Sequence, residues 1–257
     1  MRKEIRDFKV FNKQLINDNF ILLSLQSNDK IPEILPGQFA EILIETKNVF
    51  LRRPFSVHDV DYDNNLLIFL VQIIGTGTQY ISNLNIGDNL NLIFPLGNSF
   101  SVSDKYKDVL IIAGGCGIAP MLLLSKSLFK NNIKPKIILG ARSKQHLLRT
   151  DAFETYADLF YTTEDGSYGE KGYVINHSLL WKDIKFDFIY SCGPESMLKA
   201  VAKYAAKRNI NCEVSLENLM ACGIGACLCC VTKTIEGHKC VCTDGPVFNT
   251  SQLEWNN

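Results

Sequence analysis

The feature that most restricts how this chain can fold is the stretch SLENLMACGIGACLCCVTKTIEGHKCVCTDG at 215–245, which holds six of the nine cysteines. A tail this poor in apolar residues cannot build its own core and needs a metal or a neighbour to hold it. Nine is an odd number of cysteines, and the opening MRKEIRDFKVF has no apolar run of the kind that starts a secretory signal. The expected location is therefore cytoplasmic, where thiols stay reduced, and a disulfide framework is the poor explanation.

Cys222-x4-Cys227-x2-Cys230, with a fourth cysteine further on, has the spacing of a plant-type [2Fe–2S] loop. Three thiolates must converge from a loop that wraps the cluster closely. Gly223, Gly225 and Ala226 leave room for that approach, and their N–H groups can bond the sulfides. The segment KCVCTDG supplies the fourth ligand, and spacing alone leaves Cys240 and Cys242 both open. Zinc is the rival, but it usually takes two Cys-x2–4-Cys knuckles, and Cys240-x-Cys242 is too tight for the second. A redox dithiol needs Cys-x-x-Cys opening a helix after a strand, a setting that Cys227–Cys230 lacks.

The rest of the chain divides into two. The domains expected are 1–101, 102–211 and 212–257. Residues 1–101 carry short β-rich runs, FILLSLQ, FAEILIET, LLIFLVQIIG and NLNLIF, several of them alternating with period two between turn signals. That pattern predicts a small antiparallel barrel or sandwich. From Asp108 the runs DVLIIAGG, PKIILGAR, DLFYTTEDG and FDFIYSCGP read as buried parallel strands, with helical stretches at APMLLLSKSLFKNN and PESMLKAVAKYAAKRN. Such alternation predicts an α/β domain with ligands at the carboxyl ends of its strands. Lys+Arg and Asp+Glu balance at 27 each, so nucleic acid is not an expected partner. The longest uncharged run, VLIIAGGCGIAPMLLLS, is too short and too broken to span a membrane.

A one-electron centre fed by a hydride donor calls for a flavin between them. RRPFSV at 52–57 offers Arg53 for a pyrophosphate and the Ser56 hydroxyl for a ring edge. Further on, Gly75 and Gly77 permit close approach to a phosphate, with Thr78 starting a short helix. Gly114, Gly115 and Gly117 follow a buried strand, with Pro120 suited to the first turn of the next helix. The strict G-x-G-x-x-G fingerprint is absent, so a Rossmann-type NAD site is unsupported. Cys192 closes the last strand beside the same sheet edge.

In this order the motifs resemble the ferredoxin–NADP reductase superfamily: RPFS (53–56) is similar to its flavin motif, PLGNSF (95–100) to the loop closing its barrel, and CGP (192–194) to its nicotinamide-side loop. With PGQF (36–39), GTGT (75–78), GGCGIAP (114–120), GARSK (140–144), TEDGSYGEKG (163–172) and the cysteine loop, nearly the whole chain resembles the electron-transfer subunits of NAD-dependent, type B dihydroorotate dehydrogenases. The resemblance implies FAD held by Arg53, Pro54, Phe55 and Ser56, by Leu70, Val71 and Gln72, and by Gly77 and Thr78. It places NAD at Gly114, Gly115, Gly117, Cys192 and Gly193. Cys222, Cys227, Cys230 and Cys242 become the cluster ligands. The implied partner is an FMN-bearing catalytic subunit that oxidises dihydroorotate in pyrimidine (UMP) biosynthesis, in a heterotetramer of two copies of each chain. Electrons would run from FMN to the cluster, to FAD and to NAD, with no general acid or base needed from this chain. The sequence departs from the family at Cys116 and Cys229, where glycine is usual, and at Leu219, where arginine is common. The nearest alternative is the small subunit of an NADH-dependent ferredoxin–NADP or sulfide-type oxidoreductase. Arg142, Ser143 and Lys144 of GARSK are residues that can also grip the 2′-phosphate of NADP.

Overall fold

The computed structural model describes residues 3–182 and 184–255; the outermost ends of the first and third expected domains lie outside them. The first strands are β1 (Glu4–Asn17), β2 (Phe20–Gln26), β3 (Phe39–Ile42), β4 (Arg53–Ser56), β5 (Asp59–Asp61), β6 (Leu66–Gln72) and, after the helix α1 (Thr76–Asn83), β7 (Asn89–Leu96). They form one antiparallel sheet in the order β4-β3-β7-β1-β2-β6-β5. The sheet curls around a core of Phe8, Leu23, Ile42, Leu67, Phe69 and Phe94. This is the expected barrel-like domain with its two edge strands left unjoined. The helix starts two residues earlier than the sequence reading placed it. Gly75 is the N-cap and Thr78 lies within the first turn, because its hydroxyl is taken up in closing that turn.

The second half opens with β8 (Val109–Gly114), followed by α2 (Met121–Lys130), β9 (Lys136–Ala141), β10 (Asp158–Thr163), β11 (Glu170–Lys171), β12 (Phe188–Cys192), α3 (Glu195–Arg208) and β13 (Asn211–Ser215). The chain ends with the hairpin β14 (Val231–Thr234) and β15 (Gly237–Cys240), then β16 (Val247–Asn249). The sheet order is β11-β10-β9-β8-β12-β13-β16, parallel except for β16. Alternation on β8 feeds two cores. Val109, Ile111 and Ala113 face α2 and the barrel residues Phe20, Leu70 and Phe100, while Leu110 and Ile112 face α3. On α3 the buried stripe is Leu198, Val201, Tyr204 and Ala205, with Met197 partly buried beside it.

The third segment is not separate from the second. The expected boundary between 211 and 212 falls inside β13, and β16 joins the same sheet as its edge strand. The neighbour that the cysteine-rich tail requires is therefore the sheet itself. Cys230, Val241, Cys242, Phe248 and Leu253 pack in one core with Ile112, Ile189 and Val214, and with Phe39 and Leu96 of the barrel. No helix among the described residues is long and apolar enough to cross a membrane.

Candidate cofactor sites

β4 carries RPFS at the edge of the barrel sheet, half-buried along its whole length and paired on one side only, with β3. An edge strand presents unpaired backbone donors and acceptors, which suits a planar heterocycle with polar edges. Arg53 donates to the carbonyls of Leu51 (2.9 Å) and Arg52 (3.2 Å), and its stem lies against Gly77: a Cβ there would sit 3.4 Å from Arg53 Nε. The structure thus brings Arg53 and Gly77 together, although 24 positions separate them in the sequence. Thr78 Oγ1 accepts from the N–H groups of Ile74 (2.9 Å) and Gly75 (3.1 Å) and donates to the Gly75 carbonyl (3.0 Å). That network fixes the turn at the N-terminus of α1 next to the guanidinium, a pairing of partial and full positive charge that fits a pyrophosphate. Leu70 and Val71 are buried on opposite faces of β6, and Gln72 ends the strand half-buried.

At the carboxyl ends of β8 and β12 two turns press together backbone to backbone. A Cβ on Gly117 would lie 2.2 Å from the Cys192 carbonyl oxygen, and one on Gly193 would lie 3.0 Å from the Gly114 carbonyl oxygen. Gly115, at φ +56°, faces open space and borders a small cleft with Ile118, Gly140, His146 and Leu148. The cleft lies where a parallel sheet binds nucleotides. Cys192 is 1% exposed, and burial pushes its thiol well above the ordinary range, as it pushes Cys116 up to about 12; neither is a nucleophile. The charge of Glu217, a carboxyl itself raised by burial, adds to both shifts. Sequence reasoning passed over Glu217, whose place at the end of β13 becomes visible only once the sheet is assembled. Beside β9, Arg142 and Lys144 are exposed, Ser143 Oγ lies 2.8 Å from His146 Nδ1, and Lys144 Nζ sits 5.3 Å over the Tyr168 ring.

The cysteines of the tail fall into two pairs. The Cys222 and Cys227 thiols hydrogen-bond to each other, as do those of Cys230 and Cys242. Backbone N–H groups close the set: Gly225 donates to Cys242 Sγ (3.2 Å), Cys242 to Cys230 Sγ (3.4 Å) and Cys229 to Cys227 Sγ (3.5 Å). At Cys222 desolvation opposes the thiolate. The N–H groups of Ile224, Cys227 and Ala226 and the Cys227 thiol outweigh it and bring the group to about 6. Burial, then Cys230, pushes Cys242 up to about 12. Among the described residues no three His, Cys, Asp or Glu side chains are placed to hold one metal ion. Two cysteine pairs with amides aimed at their sulfurs fit a two-iron cluster, in which each iron takes two thiolates. Cys240 lies beside the set: desolvation first, then the charges of Cys230, Asp244, Cys222 and Cys227, raise its thiol, while its N–H donates to Asp244 Oδ2 (2.7 Å) and it pairs with Val231 in the hairpin.

Residues 217–254 match the iron-sulfur cluster binding domain of dihydroorotate dehydrogenase B, and residues 111–203 match the oxidoreductase NAD-binding domain. Over its full length the chain is 36% identical to the dihydroorotate dehydrogenase B (NAD(+)), electron transfer subunit, of Clostridium acetobutylicum, covering 100% of both. It is 41% identical to the same subunit of Caldanaerobacter subterraneus subsp. tengcongensis, over 83% of this chain and 84% of that one. Among solved structures, an NADH-dependent reduced ferredoxin-NADP oxidoreductase superposes with a TM-score of 0.87 at 30% identity, over 96% of this chain and 90% of that one. The ferredoxin reductase of a carbazole 1,9a-dioxygenase shares the fold, with a TM-score of 0.71 at 18% identity over 82% of this chain and 67% of that one.

Proposed function

This chain belongs to the family of dihydroorotate dehydrogenase B electron transfer subunits, and from that membership we propose that it links dihydroorotate oxidation on a partner subunit to reduction of NAD+. FAD and a [2Fe–2S] cluster are its resident cofactors in this reading. When bound, the cluster supplies one-electron transfer and the flavin supplies exchange between single electrons and hydride. The chain's own residues bind and orient. Arg53 and the Gly75–Thr78 turn hold phosphate charge at the N-terminus of α1, and the open edge of β4 meets the ring. The apposed turns of Gly114–Gly117 and Cys192–Gly193 leave backbone rather than side chains at the nicotinamide position. Cys222, Cys227, Cys230 and Cys242 hold the cluster, with the Gly225 and Cys242 amides stabilising their sulfurs.

The observation that carries this reading is the seating of the cysteine loop. It packs on β3, the strand hydrogen-bonded to the flavin strand β4, so the two cofactor-holding segments are adjacent. The partner that fits is an FMN-bearing catalytic subunit, in an assembly of two copies of each chain acting in UMP biosynthesis. Purification of the tagged chain from its host without oxygen, followed by addition of dihydroorotate and NAD+, tests the proposal; formation of NADH is expected. A preparation whose flavin is bleached by NADH but which ignores dihydroorotate favours the second reading, a small subunit serving a different large flavoprotein. The superposition on the NADH-dependent ferredoxin-NADP oxidoreductase supports that alternative.

A further inference from the structure

Two loops of the barrel, PGQF (36–39) and PLGNSF (95–100), take no part in the cofactor sites and meet on one short segment, DGPV at 244–247. Gly37, at φ +95°, packs on Val247: a Cβ there would lie 2.9 Å from its Cγ2. Gly97, at φ +75°, packs on Pro246, where a Cβ would lie 2.5 Å from Cδ. Gln38 Nε2 donates to the Gly97 carbonyl (3.2 Å) and ties the two loops into one cradle. Within it Asn98 turns its whole polar side chain to the segment. Nδ2 donates to the carbonyls of Asp244 (2.8 Å) and Val247 (2.9 Å), and Oδ1 accepts from the Val247 N–H (3.0 Å). The Asn98 N–H donates to the Gly245 carbonyl (2.6 Å). These partners fix the orientation of the amide, because a flipped one would set its oxygen against two carbonyls. One side chain thus serves the segment as a neighbouring strand would.

The segment follows closely on Cys242. Asp244 Oδ2 accepts from the Cys240 N–H (2.7 Å), and the Asp244 N–H donates to the Cys240 carbonyl (2.8 Å). Thr243 lies under Gly225, whose own N–H donates to Cys242 Sγ: a Cβ on Gly225 would lie 3.0 Å from Thr243 Cγ2. On the barrel side Asn98 follows β7, which pairs with β3, which pairs with the flavin strand β4. The front of the cysteine loop is held differently. Gly223 rests on Glu41 of β3 by packing: a Cβ there would lie 2.6 Å from Glu41 Cγ. Glu41 is 0% exposed, and neither of its carboxylate oxygens has a hydrogen-bond partner among the described residues. Directional bonds therefore hold the rear of the loop, at Asn98.

We propose that Asn98 is a positioning residue of the electron path, its side-chain amide clamping 244–247 to the barrel and so fixing where Cys242 stands against β3 and β7. The proposal rests on the cofactor reading above. Val247 opens β16, so the clamp sits where the cysteine-bearing excursion rejoins the nucleotide sheet and joins all three parts of the chain at one point. Each of its three side-chain hydrogen bonds is worth a factor of roughly two to ten in a local equilibrium, so together they should suppress opening of the segment at least about tenfold.

The test compares Asn98→Ala, Asn98→Asp and, as a control, Glu213→Ala in the intact complex. Asn98→Asp keeps the shape and the acceptor for Val247 but sets a carboxylate oxygen against two carbonyls. Glu213 Oε2 accepts from the Ser101 N–H (2.9 Å), so its removal loosens the same contact between barrel and sheet without touching the Asn98 bonds. The readouts are hydrogen exchange at the Val247 amide, the rate of cluster loss to an iron chelator, and FAD content. After mixing with NADH, flavin bleaching and the electron paramagnetic resonance signal of the reduced cluster are timed separately. Asn98→Ala is expected to exchange the Val247 amide and to lose its cluster at least about tenfold faster. Its cluster signal should build up at least about tenfold more slowly, with FAD content and flavin bleaching unchanged. Asn98→Asp should show the same cluster loss and the same slow signal, and Glu213→Ala neither. Wild-type cluster behaviour in either Asn98 variant would overturn the proposal. So would loss of FAD from them, or an equal defect in Glu213→Ala. A wild-type protein showing no cluster signal would sink the cofactor reading, while exchange at Val247 would still report on the clamp, which separates the two failures.

Discussion

Acidification should loosen the contact between the two large halves through His58. Its ring is 1% exposed, Nδ1 lies 2.7 Å from the carbonyl oxygen of Ala119, and Nε2 has no partner. A carbonyl only accepts, so Nδ1 carries the proton and Nε2 is the site that must take a second one. Burial, chiefly, holds the ring down to about 4 from 6.5; the Ala119 bond and Asp59 pull upward, and Arg149 and Lys126 pull downward. The unfolded chain therefore binds the proton first. The stability contributed by the neutral ring is complete above about pH 6.5 and drains away as pH falls toward 4, at up to ~1.4 kcal/mol per pH unit and roughly 3 kcal/mol in all. Glu41 runs the other way. Burial first, then Cys222, raises its carboxyl to about 7 from 4.5 against the pull of Arg52 and Arg53, so its contribution is complete below 4.5 and is lost as pH rises toward 7. The two slopes oppose each other between pH 4.5 and 6.5, and the wild-type profile hides both. The informative pair is thus Glu41→Gln against Glu41→Gln/His58→Gln, unfolded in urea at half-unit steps from pH 7.5 to 4.5 and followed by circular dichroism. The single variant should lose about 2 kcal/mol more than the double variant across that range. Parallel profiles would refute the assignment of a neutral, buried His58.

Gly117→Ala puts a methyl group onto the Cys192 carbonyl and must part the two turns at the sheet edge. An overpacking cost of about 1–3 kcal/mol corresponds to a roughly five- to 150-fold rise in KM for NADH in a dye-reduction assay, with FAD content unchanged. Cys242→Ser should abolish the cluster's visible absorbance and lower the iron content, whereas Cys240→Ser should keep both; iron analysis of the two purified variants decides. Thr78→Val removes the acceptor that serves the Ile74 and Gly75 amides. It should cost about 1–2 kcal/mol in thermal stability and speed FAD release in a fluorescence dissociation assay.

The strands with strong apolar runs were legible in the sequence, and so were the glycine turns, because their signals are local. β1 was not. Its sequence EIRDFKVFNKQLIN buries only Phe8 and Val10, so its place in the middle of the barrel sheet comes from pairing with β2 and β7 rather than from its own composition. β16 was missed because VFN is too short to declare itself and becomes a strand only beside β13. The cysteine spacing pointed to a two-iron loop but left the fourth position open, since Cys240 and Cys242 share the parity of one short segment and differ only once it is folded: Cys240 ends β15, while Cys242 lies buried in the turn beyond it, against Cys230. Glu41 carried a faint signal, an acid at the same parity as a buried Phe39 in FAEILIET. What buries it is a segment some 180 residues later, beyond the reach of any pattern window.

The meeting of β13 and β16 has an architectural consequence. These strands are antiparallel neighbours, with Ser215 opposite Val247 and the Leu216 amide bonded to the Pro246 carbonyl at 2.9 Å. The whole cysteine-bearing excursion, residues 216–246, is thus the loop of a hairpin whose stem is already zipped at the rim of the nucleotide sheet. Loop-closure entropy grows only with the logarithm of length, so a hairpin tolerates a very long loop almost as readily as a short one. The iron–sulfur module is in this sense a cartridge clipped into a finished flavin–nucleotide reductase. Replacing it with a tight turn should leave the host sheet closed and its hydride chemistry intact, with the one-electron connection to the partner removed.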